Sequence, residues 1–274
     1  EGPVALLIYV GVWGPAAAAA LVTWATGASV RQWFRGLFRW RVGRRWYLYA
    51  VGLPVAFVAV VSAIFVLLDG DLDSSLLGER LAAFLPAVLV LSLVGGGNEE
   101  LGWRGFALPR LLERWTPVRA TLVLGALWAT WHLPLLLAQD DLSHGLSGPA
   151  LTGVLAATGL AIVGYAFAYT FLYQRTRSVL LCVLLHGSIN AANGTLVLRT
   201  EIEGTAYATM QYVITAVLAV AVAWLIWATR GRLGAPPTSS PGSGPDLDDD
   251  HPVVDLTADP DAQAHRLHLD SLPA

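Results

Sequence analysis

Residues 46–68, WYLYAVGLPVAFVAVVSAIFVLL, decide the fold class of this chain, because they contain no charged residue. Arg44 and Arg45 stand immediately before the stretch and Asp69 follows it. An α-helix rises about 1.5 Å per residue, so roughly 20 apolar residues are needed to cross the hydrocarbon core of a bilayer. The stretch therefore predicts a membrane-spanning helix.

The composition of the whole chain indicates a membrane protein and excludes an ordinary soluble domain. Of the 274 residues, 55% are hydrophobic and only 14% are charged, and the mean hydropathy is +0.57. All 17 basic residues are arginine. The sequence has one cysteine, Cys182, so an intramolecular disulfide is impossible.

The apolar residues fall into seven runs, most of them long enough to cross a bilayer. These runs are 4–26, 46–68, 81–94, 120–138, 149–173, 179–197 and 207–228. The loops between them are alternately arginine-rich and acidic, and the positive-inside rule places the arginine-rich loops in the cytoplasm. We therefore predict an all-α, polytopic transmembrane bundle of about seven spans in the cell membrane, with an outside N-terminus and a cytoplasmic C-terminus.

The third run, residues 81–94, is short for a span. Three consecutive glycines follow it, Gly95, Gly96 and Gly97. The sequence allows two predictions here. Either the helix continues through the glycines, or it ends there and a new helix starts.

The domain organisation follows from a change of composition near residue 233. We predict a membrane domain over residues 1–232, with a motif core at 95–195, and a separate tail over 233–274. The tail is rich in Pro, Ser and Gly and then in Asp, so it cannot bury enough apolar surface to fold alone, and we expect it to be disordered. Residues 31–45 mix arginine with Trp and Phe, which next to two spans favours contact with membrane lipid over nucleic acid.

A pair of glutamates follows the glycine break. Asn98 is predicted to be the N-cap of a helix whose first turn contains Glu99 and Glu100, where the helix dipole favours negative charge. Glu100 and Arg104 are four residues apart and can form an ion pair, whereas Glu99 is rotated by about 100° and is free to face a cavity. We predict that Glu99 is a general base. A capped helix start with a salt bridge would explain the same residues.

Two apolar runs each carry a histidine. His132 lies four residues after Trp128, and His186 lies four residues before Asn190, so each pair shares one helix face. Any one of these residues alone is explained by interhelical hydrogen bonding. Together with Glu99 they indicate a shared polar site, because ionisable groups inside a membrane are costly and are usually functional. A glutamate with two histidines can activate water, with or without zinc.

At this point the sequence resembles the CAAX prenyl protease and bacteriocin-processing family of intramembrane proteases. The resemblance covers about residues 99–190 and rests on three motifs in the family's order and spacing. These are Glu99-Glu100-x-x-x-Arg104, Trp128-x-x-x-His132 and His186-x-x-x-Asn190. The resemblance implies a membrane-bound endopeptidase in which Glu100 and Arg104 form a supporting ion pair.

The resemblance also implies roles for the other motif residues. Glu99 and His132 would activate water, and His186 with Asn190 would stabilise an oxyanion or bind a metal. Trp128 stands where the family usually has Phe, and it keeps an aromatic wall. The expected cofactor is zinc or another divalent ion held by Glu99, His132 and His186, or no metal at all. The sequence His-Glu-x-x-His is absent, so ligands would come from different helices.

Other functions compete with this hypothesis. Ser147, in a Gly-Leu-Ser-Gly motif, resembles the nucleophile of rhomboid serine proteases, with His186 as its base. Intramembrane polar groups also line transport pathways, although no internal repeat suggests a transporter. A bacteriocin-immunity or scaffold protein would bind a peptide in the same cavity without cutting it. For the protease hypothesis the expected partner is a peptide or protein substrate, for example a C-terminal or bacteriocin-like peptide.

Overall fold

The computed structural model describes residues 11–69, 75–138, 145–196 and 204–235, and the regular secondary structure in these ranges is helical. In chain order the helices are α1 (Gly14–Ala25), α2 (Val30–Gly36), α3 (Arg44–Asp69), α4 (Leu77–Val94), α5 (Glu100–Gly102), α6 (Leu108–Leu112), α7 (Pro117–Ala138), α8 (Gly148–Thr176), α9 (Val179–Thr195) and α10 (Gly204–Ala228). A 3₁₀ turn, Gly97–Glu99, precedes α5, and a π turn, Trp103–Ala107, joins α5 to α6. The predicted all-α fold is therefore confirmed.

Four of these helices, α3, α4, α8 and α10, are long and apolar enough to cross a membrane. They correspond to the second, third, fifth and seventh predicted spans, so the chain is a multi-pass membrane protein. The fourth predicted span forms α7, a helix of 22 residues, and the first and sixth form the shorter apolar helices α1 and α9.

The glycine break ends one helix and starts another. Helix α4 stops at Val94, and Gly96 has φ of 112°, a left-handed conformation that a residue with a side chain rarely adopts. The predicted helix cap at Asn98 is wrong, because Asn98 lies inside the 3₁₀ turn, not before a helix. Its Oδ1 accepts a hydrogen bond from the Gly96 backbone N–H (3.3 Å), and its Nδ2 donates to the Val12 carbonyl (3.0 Å).

Helix α9 is the packing centre of the bundle. It contacts α3, α4, α8 and the segment from the 3₁₀ turn to the π turn, whereas α8 packs mainly on α7 and α10. Leu181, Cys182 and Leu185 on α9 are fully buried. His186 and Ser188 on the same helix are also buried, so these two polar residues lie among the surrounding helices.

The arginine-rich segment after α1 is hydrogen-bonded to the π turn that follows α5. Helix α2 is capped by the Ser29 hydroxyl, which accepts from the Gln32 N–H, and Nε1 of Trp33 donates to the Gly105 carbonyl (3.0 Å). Phe34 and Trp40 remain exposed, as an interfacial segment requires.

The prediction of a disordered tail concerns residues that lie almost entirely outside the described ranges.

Candidate active site

Glu100 and Arg104 form a buried ion pair next to the candidate site. Nη1 of Arg104 is 2.9 Å from both carboxylate oxygens of Glu100, and both side chains are completely buried. Oε1 accepts a hydrogen bond, whereas Oε2 is at ion-pair distance without hydrogen-bond geometry. The structure thus contains the i, i+4 pair that the spacing predicts. Removal of one partner from such a pair strongly destabilises a protein, because the other charge is left buried without compensation.

Aromatic rings complete the environment of Arg104. Its guanidinium carbon lies 4.5 Å from the ring centre of Trp128 and 4.2 Å from that of Tyr169. Nε and Nη2 of Arg104 find no acceptor among the residues with described positions. Cation–π contacts with two ring faces therefore stabilise the part of the guanidinium that Glu100 does not reach.

His186 is held by the same glutamate. Its Nδ1 is 2.8 Å from Oε1 of Glu100, although 86 residues separate the two in sequence. An ionised carboxylate only accepts hydrogen bonds, so Nδ1 keeps its hydrogen and donates a hydrogen bond to Glu100. Neutral His186 then presents Nε2 as an acceptor, and Nε2 can donate only in the imidazolium form.

His132 has the same arrangement with a different partner. Its Nδ1 lies 2.9 Å from the backbone carbonyl of Trp128, one turn earlier in α7. A carbonyl accepts, so Nδ1 again donates and Nε2 is left for another ligand. Both histidines are therefore fixed in the tautomer that exposes Nε2.

Glu99 differs from Glu100 in having no cationic partner among the described residues. It is only 3% exposed, and its Oε2 accepts hydrogen bonds from Nε1 of Trp128 (2.9 Å) and Nε1 of Trp103 (3.3 Å). In the ranges that the structure covers, no donor contacts Oε1. Glu99 therefore carries one engaged oxygen and one available oxygen.

The predicted site residues line one cavity of about 330 Å³. Its polar lining includes Glu99, His132, His186 and Asn190, and Trp128 and Tyr169 form part of its wall. Glu100 and Arg104 do not line it, so they form a supporting layer behind His186. The arrangement places a carboxylate, two imidazoles and an amide around one space, as hydrolysis of a peptide bond requires.

The glycine break shapes one wall of this cavity. Nδ2 of Asn190 donates to the Gly95 carbonyl (2.9 Å). A Cβ atom on Gly96 would lie 2.8 Å from Nε2 of His186 and 3.1 Å from Nδ2 of Asn190. Glycine is therefore needed at this position both for the backbone conformation and for space.

A second, larger cavity adjoins the site. Its volume is about 470 Å³, and its lining is mostly apolar side chains of α3, α8, α9 and α10. The two cavities share the lining residues Tyr165, Ile189 and Asn193. The two cavities therefore meet at these three side chains.

The donor set does not fit a metal in the arrangement described. Within the described ranges, no group of three or more His, Cys, Asp or Glu side chains is close enough to hold a metal ion. Glu99, His132 and His186 line the same cavity but do not converge on one coordination point. We therefore derive no step through a metal.

Ser147 does not join this arrangement. It is exposed at the start of α8 and is not among the residues that line the cavity containing His186. The described geometry therefore gives the serine-protease alternative no support.

Comparison with known proteins identifies the region that contains the site. Residues 81–192 match the family model described as type II CAAX prenyl endopeptidase Rce1-like. The segment that carries the three motifs is therefore similar to this family. It is also 30% identical over 108 residues to a CAAX prenyl protease 2 from Methanococcus maripaludis, and the alignment covers 39% of each chain. The chain thus matches well under half the length of this relative, and the predicted family resemblance is confirmed.

Sequence reasoning missed three residues of the site. Trp103 follows Glu99 by four residues, so the spacing rule that predicts the Glu100–Arg104 pair could also have found it. Tyr169 gives no such signal, because a tyrosine in an apolar run is common. Gly96 is one of three successive glycines in the sequence. Only the fold shows that it is the one next to His186.

Proposed function

We propose that the chain is an intramembrane endopeptidase that hydrolyses a peptide bond with water activated by Glu99 and His132. The observation that carries this proposal is the common cavity of Glu99, His132, His186 and Asn190. The match of residues 81–192 to the type II CAAX prenyl endopeptidase family model supports it.

The proposed reaction uses the available atoms described above. Oε1 of Glu99 takes one proton from a water molecule, whose other O–H stays intact and donates a hydrogen bond to Nε2 of His132. The water oxygen bonds to the peptide carbonyl carbon and gives a tetrahedral oxyanion. Glu99 then passes its proton to the leaving nitrogen, and the C–N bond breaks to release an amine and a carboxylic acid.

The oxyanion needs hydrogen-bond donors placed where the negative charge develops. Asn190 has an amide N–H that is not used by the bond to Gly95, and it is the neutral donor in this proposal. His186 donates from Nε2 when it is an imidazolium, a form whose charge Glu100 would balance. Glu100 and Arg104 act by holding His186, without touching the substrate.

The proposed substrate is a membrane-associated peptide or protein segment with an apolar group next to the cleaved bond. The support is the apolar cavity of about 470 Å³ that adjoins the site through Tyr165 and Asn193. The relative's name suggests that a prenylated C-terminal peptide is the first substrate to try.

We further propose seven membrane crossings, with the arginine-rich loops and the C-terminus in the cytoplasm.

The test is cleavage by the purified full chain in proteoliposomes. Two peptides of the same CAAX-ending sequence, one farnesylated and one unmodified, are offered, and the products are identified by mass spectrometry. Glu99→Gln should lower the cleavage rate by about 10²- to 10⁴-fold, the range expected for loss of a general base. Glu113→Gln, the same change at an exposed glutamate on a different part of the chain, is the matched control.

Each outcome has a distinct meaning. Full cleavage by the Glu99→Gln protein would end the role of Glu99 as the base. Saturable binding of a peptide that is never cut, lost in the Glu99→Ala protein, would instead favour an immunity or scaffold function. Cleavage of the farnesylated peptide alone would identify the apolar group as part of the substrate.

Metal dependence has its own test. We expect wild-type cleavage to survive dialysis against a chelator, because the described residues offer no three-ligand group. The matched control is dialysis of the same preparation without chelator. Activity that is lost and then restored by zinc alone would show that Glu99, His132 and His186 rearrange to bind it.

A further inference from the structure

We infer that Trp103 and Trp128 form a two-indole clamp that orients Glu99, so that only its Oε1 faces the reacting water. Both indole N–H groups donate to the same oxygen, Oε2, at 3.3 Å and 2.9 Å. Their role is positioning, since neither indole N–H is needed to touch the substrate. The inference rests on the proposed function for its catalytic meaning, but the clamp itself can be tested without any substrate.

The two donors reach Glu99 from different elements. Trp103 lies in the π turn, four residues after the glutamate, and Trp128 lies in α7. The terminal torsion of a glutamate is broad and roughly two-fold, so a carboxylate with one partner can swing or flip. Two donors that arrive from separate directions on one oxygen restrict that motion and break the equivalence of the two oxygens.

Trp128 is itself held in place on several sides. It is 4% exposed, and its ring faces the Arg104 guanidinium at 4.5 Å. Its ring centre is 5.5 Å from those of Tyr169 and His186 in edge-to-face geometry. These contacts restrict the movement of the Trp128 indole. The indole in turn restricts Glu99, which has no cationic partner of its own among the described residues.

The chemistry of indole makes the orientation definite. An indole N–H is a donor only, so neither contact can reverse its direction. Hydrogen bonds to an ionised group are stronger than neutral ones, and the burial of Glu99 and Trp128 limits their replacement by solvent. Phenylalanine at position 128 would keep the ring face on Arg104 but would lose the donor.

The first experiment measures the clamp directly. Indole ¹H–¹⁵N NMR signals of the full chain in detergent are recorded, and the signals of the two clamp residues are identified by their loss in Trp103→Phe and Trp128→Phe proteins. In the Glu99→Gln protein both signals should move upfield, because a neutral amide oxygen is a weaker acceptor than a carboxylate. They should stay in place in the Glu113→Gln control. Two signals that do not move in Glu99→Gln overturn the inference.

The second experiment measures what the clamp does. Trp128→Phe should lower kcat for a peptide cut by the wild type by about tenfold to a hundredfold, with KM nearly unchanged. Trp103→Phe should have a smaller effect, since its hydrogen bond is longer, and Trp227→Phe, at an exposed indole that lines neither cavity, should have none. Replacing Trp128 by β-(3-benzothienyl)alanine, which has the shape of tryptophan without the N–H, should reproduce the loss.

These outcomes separate a positioning role from a structural one. An unchanged kcat in both the Phe and the benzothienyl proteins overturns the inference. So does a loss of activity that only follows a loss of folded protein in thermal melts. If the wild type cuts no peptide, the proposed function fails, and the NMR experiment alone then decides whether the clamp exists.

Discussion

At the scale of single residues, the site depends on a charge that is buried completely. Arg104 is fully inaccessible, and its partners are Glu100 and the faces of Trp128 and Tyr169. Arginine suits this position because its planar guanidinium can stack on rings and pair with a carboxylate at once, which the ammonium of lysine cannot do. Through Glu100 the same pair fixes the tautomer of His186.

Removing the positive charge should therefore destabilise the protein. We expect Arg104→Met to lower the free energy of unfolding by about 3–5 kcal/mol, because Glu100 is left buried without its main partner. Arg114→Met, at an exposed arginine, should change it by less than about 0.5 kcal/mol. Unfolding in detergent by denaturant measures both. The double change Glu100→Gln with Arg104→Met should recover part of the loss, and a double mutant that is no better than Arg104→Met would contradict the ion-pair explanation.

At the scale of elements, the turn after α4 determines the position of the glutamates. Sequence reasoning predicted the ion pair, because an i, i+4 spacing holds on any helix. It did not predict that Asn98 would lie inside a 3₁₀ turn, since three successive glycines leave the backbone path open until neighbouring helices fix it. The contact between Glu100 and His186 was also out of reach, because it depends on how α9 packs against the motif segment.

A methyl group added at Gly96 should disturb this turn and the site together. Gly96→Ala places Cβ 2.8 Å from Nε2 of His186 and forces alanine into φ of 112°. We expect cleavage to fall at least tenfold and stability to fall by about 1–3 kcal/mol. Gly159→Ala is the matched control, because nothing lies within 4 Å of the added Cβ in the interior of α8. Normal cleavage in the Gly96→Ala protein would show that this wall is not part of the reacting geometry.

At the scale of the whole molecule, apolar patterning predicted most of what the structure describes. Every apolar run became a helix in the described ranges, because the bilayer requires each backbone polar group to be paired within its own segment. Patterning could not show which helix would be central or that two cavities would adjoin. Those features arise from side-chain packing between helices far apart in sequence, such as α3 with α9.

A buried contact at the predicted start of the tail defines where the membrane domain can be cut. Nε2 of Gln174 donates to the carbonyls of Arg232 (3.0 Å) and Leu233 (3.1 Å), and the Leu233 side chain is fully buried. The compact unit that contains the site ends at Pro236. Segments beyond it carry no residue of the proposed reaction.

Two truncations should therefore behave differently. A chain ending at Pro236 should melt and cleave as the full chain does, within about twofold, since no buried contact described here is lost. A chain ending at Ala228 loses the Leu233 side chain and leaves the Gln174 amide without two acceptors, which should cost about 2–5 kcal/mol of stability. Thermal melts and peptide cleavage of the two proteins, side by side, measure the difference. Equal stability of both truncated chains would mean that Leu233 does not anchor α8, and reduced activity of the longer one alone would assign the tail a role in turnover.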